Sequence, residues 1–142
     1  MKNHKIKLLV PVLVLIAVAL ITLSTSCSKS SSSSTNFTGT YIGTLSVGYV
    51  TESDTIVITP GSTSSSVVMT SRTSHGSTYS INGTVNGNSL TVPSQSVNVT
   101  SLSTTYTVSG TGTLKNSALT INEVWVSSSP ATYYFSFSGT KQ

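Results

Sequence analysis

Charge is what this 142-residue chain has least of. Charged residues make up 7% of it, against about 25% in an ordinary soluble protein. Beyond Cys27 the basic residues are Lys29, Arg72, Lys115 and Lys141 and the acidic ones Glu52, Asp54 and Glu123, a net charge of +1. No basic patch is left for a nucleic-acid partner, so none is expected. Cysteine is equally scarce: Cys27 stands alone. Without a second cysteine it forms no disulfide within the chain. Without ligands close by it makes no zinc site, and no metal or cofactor is expected. A catalytic thiol needs a base held against it, but His4 belongs to the leader and His75 is distant in sequence. Three carboxylates give little scope for paired-acid hydrolysis. Glu52 and Asp54 fall in "TESD" (51–54), which reads as a solvated turn. The serines are many, yet no Gly-X-Ser-X-Gly elbow is present to activate one. A non-enzymatic role is expected.

What the chain does have begins with its N-terminus. "MKNHKIK" (1–7) is basic, "LLVPVLVLIAVALITL" (8–23) is apolar, and "STS" (24–26) is small. That order is the order of a secretory signal peptide, here 1–26. A membrane-spanning signal anchor is the rival: the apolar run is shorter than the roughly 20 residues a span needs, length alone does not exclude it, and Cys27 at the end of the run tips the balance. After Cys27, "SKSSSSSTN" (28–36) has the composition of a flexible tether reaching about 15–18 Å.

Ser24-Thr25-Ser26-Cys27 resembles the lipobox of bacterial lipoproteins, with the leucine one place early at Leu23. "SCS" followed by a serine tract is similar to lipoproteins of the Bacteroidota. The resemblance implies that Cys27 is acylated and becomes the mature N-terminus, so that the partner is a membrane, held through the acyl chains. Two or more such chains anchor durably, at about 0.8 kcal/mol per buried CH₂. With Ser28 after the cysteine, the expected address is the bacterial outer membrane. The lack of an acidic stretch in the tether leans toward its periplasmic face.

From Gly39 onward the pattern has period two. Tyr106, Val108, Gly110, Gly112 and Leu114 share one face of "TTYTVSGTGTL" (104–114), and threonine and serine fill the other. The same alternation predicts strands over 39–50, 54–59, 66–72, 77–85, 89–93, 96–102, 118–126 and 132–140, joined by turns such as "PGSTSS" and "NGN". The expected fold is all-β over 37–142, an antiparallel meander of about eight or nine strands closing into a small barrel, with a β-sandwich as the alternative. Glycines on the apolar faces, Gly43, Gly110 and Gly112, favour strong coiling. "TYYFSFSGT" would pair with "GTYIGTLSV" to close the barrel.

"FTGTYIGTLSV", "VSGTGTLKNSALTINEVWV" and "FSFSGTKQ" resemble small lipocalin-like or calycin-like lipoproteins of gut Bacteroidota. Gly39-Thr40-Tyr41 is similar to the Gly-X-Trp start of lipocalins, with tyrosine for tryptophan and no matching arginine over it. The resemblance implies a barrel that binds a small apolar ligand or an envelope component. An adhesion or interaction module, meeting an envelope protein or glycan, is the alternative. The candidate cavity residues are Tyr41, Tyr106, Glu123, Trp125, Tyr133 and Phe135; such aromatics line a pocket or simply fill a core. Strict alternation places Glu123 inside with Leu119, Ile121 and Trp125, as a polar anchor; a bulge or rim position would instead let it reach water. Arg72 is the one obvious internal counter-ion. Asp54-Thr55-Ile56 resembles the O-glycosylation site of exported Bacteroidota proteins, with Thr55 as acceptor.

Overall fold

A computed structural model describes residues 36–73, 76–129 and 131–142. The signal peptide, Cys27 and most of the tether lie outside the described residues. Eight strands follow one another in chain order: β1 Gly39–Val47, β2 Val50–Pro60, β3 Ser66–Thr73, β4 Thr78–Asn86, β5 Ser89–Val99, β6 Thr104–Lys115, β7 Ala118–Ser127 and β8 Thr132–Lys141. Each pairs antiparallel with the next, and β8 returns to pair with β1, so the sheet closes into a barrel. The closing register runs from Tyr41 opposite Lys141 to Val47 opposite Phe135.

Alternation decides which way each side chain points. Tyr41, Leu45, Ile56, Ile58, Val67, Met69, Ile81, Val85, Leu90, Val108, Leu119, Ile121 and Phe137 turn inward and are buried. The outer face is largely threonine and serine, tied across strands by hydroxyl pairs such as Thr113 with Thr120 at 2.8 Å and Thr70 with Ser80 at 3.1 Å. This is the reverse of a membrane-spanning barrel, whose lipid-facing band is apolar and whose lumen is polar. The described strands therefore do not cross a bilayer.

Eight strands leave an interior that side chains just fill, and glycines adjust the fit at two levels. Gly43 faces Gly139 across the closing ladder. A Cβ on Gly43 would collide with the Ser138 carbonyl oxygen and the Gly139 Cα, both backbone atoms. Gly110 faces Glu123 across β6 and β7, and a Cβ there would meet the Glu123 Cα and Cγ at 3.0 Å. The space that Gly110 leaves is where the Glu123 chain lies.

Two sequence expectations change. The strands expected over 89–93 and 96–102 are one strand, β5, which crosses Pro93 through an irregularity between Val92 and Gln95. Proline has no N–H to give the ladder, and β4 and β5 pair only near their hairpin. The Gln95 side-chain amide takes over the missing pairing. It accepts from the Asn82 N–H at 2.9 Å and donates to the Asn82 carbonyl at 2.7 Å. The "TESD" turn is likewise not a turn: it lies within β2, and Asp54 points into the barrel at 2% exposure.

The two ends of the barrel differ. At one end Phe37 is fully buried and its carbonyl accepts from the Tyr41 hydroxyl at 2.9 Å. There Lys141 Nζ donates to the Asn36 carbonyl at 3.3 Å, and the Gln142 N–H to the Thr40 carbonyl at 2.9 Å. Both described termini are thus pinned at this closed end. At the other end lie the β1–β2, β3–β4, β5–β6 and β7–β8 connections.

Gly43→Ala is expected to lower the unfolding free energy by about 2–3 kcal/mol, because the methyl group meets backbone that cannot rotate away. Thr44→Ala, next to it on the outer face, should change stability by only about 0.5 kcal/mol. Equilibrium unfolding in denaturant compares the two.

Candidate functional site

Strand ends bring five aromatic side chains to the open end. Tyr79 comes from the start of β4, Tyr106 from the start of β6, Trp125 from the end of β7, and Tyr133 and Phe135 from the start of β8. Three of the four ring pairs meet edge to face, and Trp125 with Phe135 is tilted. Trp125 lies 4.7 Å from Tyr79, 5.5 Å from Tyr106 and 5.0 Å from Phe135, and Tyr106 lies 6.3 Å from Tyr133, between ring centroids. With Leu45, Val47, Glu52, Ser77, Val99 and Leu102 they line an open cup of about 440 Å³. Trp125 is 2% exposed and forms its floor.

Beneath the floor is a polar layer. Glu123 is 8% exposed, and its Oε2 accepts from Trp125 Nε1 at 2.8 Å. Its other carboxylate oxygen has no donor among the described residues. Burial pushes the Glu123 carboxyl up to about 7, the Trp125 hydrogen bond pulls the other way, and the Asp54 charge adds to the rise. Asp54 is better served. Ser71 Oγ donates to both of its oxygens, at 3.0 and 2.8 Å, and the Arg72 N–H donates at 3.2 Å. Burial nonetheless outweighs these bonds and raises its pKa. Ser71 is also the cross-strand neighbour of Tyr79, and its proximity partly offsets the rise in the Tyr79 pKa. Desolvation, then the neighbouring Glu123 charge, drives the Tyr79 phenol well above its ordinary range.

Between these groups a void of about 10 Å³ is lined by Leu45, Ile56, Met69, Ser71, Tyr79, Ile81, Ile121, Glu123, Phe135 and Phe137. That is room for about one water. Leu45, Tyr79 and Phe135 line both void and cup, so the void lies directly under the cup.

The residues singled out from sequence separate cleanly. Tyr106, Trp125, Tyr133 and Phe135 come together in the cup, and Glu123 stands under its floor. Of the two readings open for Glu123, the interior one is what the structure shows. Tyr41 is elsewhere: it is fully buried at the closed end, where burial raises its phenol pKa. Arg72 is not an internal counter-ion. Ser71 takes the inward position, so the Arg72 side chain is exposed on the outer face and only its backbone reaches Asp54. Thr55 is partly exposed on the outer face of β2, opposite Ile42 and Arg72. Cys27 and His75 lie outside the described residues. Sequence reasoning missed Asp54, Ser71 and Tyr79 as one group. The signal was there: period two run back through "VTESDTIVI" puts Asp54 in phase with Ile56 and Ile58.

A carboxyl whose folded pKa lies above its unfolded value opposes folding once it ionises. At low pH Glu123 is protonated in both states and carries no penalty. As pH rises from about 4.5 to about 7 the unfolded chain ionises first, and stability falls by up to about 3 kcal/mol. Glu123→Gln keeps an acceptor for Trp125 and removes the charge. Denaturant unfolding at pH 4.5 and pH 8 should show wild type losing stability across the window and the variant losing much less, with Asp54 supplying the remaining slope.

No protein family matches the chain, and no curated protein matches it in sequence. Its fold is shared with a crystal structure, at 2.40 Å, of a "putative outer membrane protein" from Bacteroides fragilis NCTC 9343. The TM-score is 0.54 at 18% identity, and the alignment covers 77% of this chain. This chain spans about half, 52%, of that one. What the two share is the fold.

Proposed function

We propose that this protein is a lipid-anchored, non-catalytic binding protein of the bacterial outer membrane, and that the aromatic cup holds a small ligand. The observation that carries the reading is the cup itself. It is a concave aromatic site of about 440 Å³, within the size range of small-molecule sites, set over an interior with room for about one water. The ligand is therefore taken at the mouth and not swallowed into a deep calyx. The N-terminal Cys27 and serine tract supply the anchor, and the Bacteroides fragilis neighbour's outer-membrane description fits that address. The periplasmic face remains the proposed side. The Ser/Thr exterior supports anchoring by acyl chains over spanning by strands.

Two features support a lipocalin-like character. Tyr41 opens the first strand at the closed end, and Lys141 from the last strand places its Nζ 6.0 Å from the Tyr41 ring centroid. A lysine thus stands where the resemblance leads one to look for an arginine. The non-catalytic reading rests on the acids. Asp54 is saturated by Ser71 and backbone donors, and Glu123 lies below the floor of the cup.

The chain's single tryptophan, Trp125, reports on the cup. In full-length protein held in a nonionic detergent, 2-phenylethanol should change Trp125 emission saturably. Tyr106→Ala should weaken that binding about fivefold, the loss of about 1 kcal/mol of ring contact. A response that stays linear in both proteins removes the cup as a binding site. Fractionation tests the address separately: wild type should follow the outer membrane and Cys27→Ala should not.

A further inference from the structure

Charge is distributed unevenly along the barrel. All three of its carboxylates lie in the half that carries the cup: Glu52 lines the cup, and Glu123 and Asp54 stand in the layer beneath it. Both described lysines, Lys115 and Lys141, lie at the ends of strands at the closed end. Arg72 is near the mouth but points outward. Among the described residues, the lining of the cup therefore holds one carboxylate, no cationic side chain, and five aromatic rings.

From this arrangement we infer that the cup selects an organic ammonium ion. The inference rests on the cup being the binding site and names the class of ligand it takes. Three observations favour that class over a neutral or acidic ligand. Aromatic faces attract a cation through their quadrupole, more strongly where water is excluded. Glu52 places a carboxylate on the cup wall. Trp125 Nε1–H, the only indole donor, is spent on Glu123 and is not offered to an anion.

The layer below strengthens the case. More than nine-tenths of Glu123 is buried, it lines the void under the cup, and one of its oxygens has no donor among the described residues. A compact ammonium group at the floor would place its positive charge above this acid. An acyl carboxylate entering the same cup would meet only like charge, which disfavours a fatty acid. A metal ion is disfavoured on other grounds. Among the described residues no three His, Cys, Asp or Glu side chains converge closely enough to hold one. Aromatic walls suit a cation whose charge sits on an organic frame.

The test is a matched series read by Trp125 emission in the full-length protein: 2-phenylethylammonium, 2-phenylethanol and 3-phenylpropanoate, nearly equal in size and differing in charge. The ammonium ion should bind about tenfold more tightly than the alcohol, and the carboxylate more weakly than either. Glu52→Gln should cut the ammonium preference about threefold, with a denaturant unfolding midpoint close to that of wild type showing that the variant is folded. Equal affinities for ammonium and alcohol overturn the inference while the cup stands as a binding site. So does tightest binding by the carboxylate, or a preference that Glu52→Gln and Glu123→Gln both leave intact. Saturable binding by none of the three overturns the inference and the cup together.

Discussion

Every other feature of this molecule depends on the pairing of its last strand with its first. The β1–β8 ladder turns a meander into a barrel and leaves no sheet edge unpaired. It is also the least local pairing in the chain, since it joins residues about a hundred positions apart and carries the largest loop-closure entropy. At its middle the chain places glycine opposite glycine, Gly43 and Gly139. The backbones approach there so closely that no side chain fits, and the Phe137 ring occupies the space over Gly139, within 2.5 Å of where a Cβ would stand. The same closure seals one end with Phe37 and Tyr41 and leaves the opposite mouth to the aromatic cup.

Closure also explains how the barrel carries two buried acids with no buried base among the described residues. A carboxylate in an apolar interior costs several kcal/mol unless it is paired or neutralised. Asp54 is offset by hydrogen bonds, from Ser71 twice and from backbone N–H groups. Glu123 has a single indole donor and is instead pushed toward the neutral form near physiological pH. Strand alternation forces both inward, and the same alternation turns Arg72, one residue from Ser71, out to the exterior. A fold selected for stability alone would have placed apolar side chains at 54 and 123.

Much of this was legible in the sequence, for a definite reason. Period two is independent of long-range contacts, so the strands, their inward faces and the β8-to-β1 closure could be read from "TTYTVSGTGTL" and its neighbours. What was lost was lost where local signals compete with that period. "TESD" is composed like a turn, yet Val50 to Pro60 is one strand, because its ladders with β1 and β3 override composition. Pro93 reads as a strand end, yet β5 continues, because the Gln95 side chain replaces the pairing proline forfeits. Tyr41 shared the inward phase with Tyr106 and Trp125, but phase gives only the face. Height along the barrel axis comes from register and strand tilt, and it is height that separates the plug from the cup.

The two ends then form one argument about access. The described chain enters at Asn36, beside Lys141 and Gln142, and the cup opens at the other end. A packed interior means that a ligand of the proposed cup would enter and leave through that mouth, without threading the barrel. The rim residues there, Tyr49, Val50, Leu102 and Tyr133, are exposed and apolar, while the acids sit lower, at the wall and under the floor. A ligand with an apolar frame and a charged head meets the rim first and the carboxylates last. Its charge is then desolvated only where opposite charge is already in place, which is the order that keeps the cost of entry low.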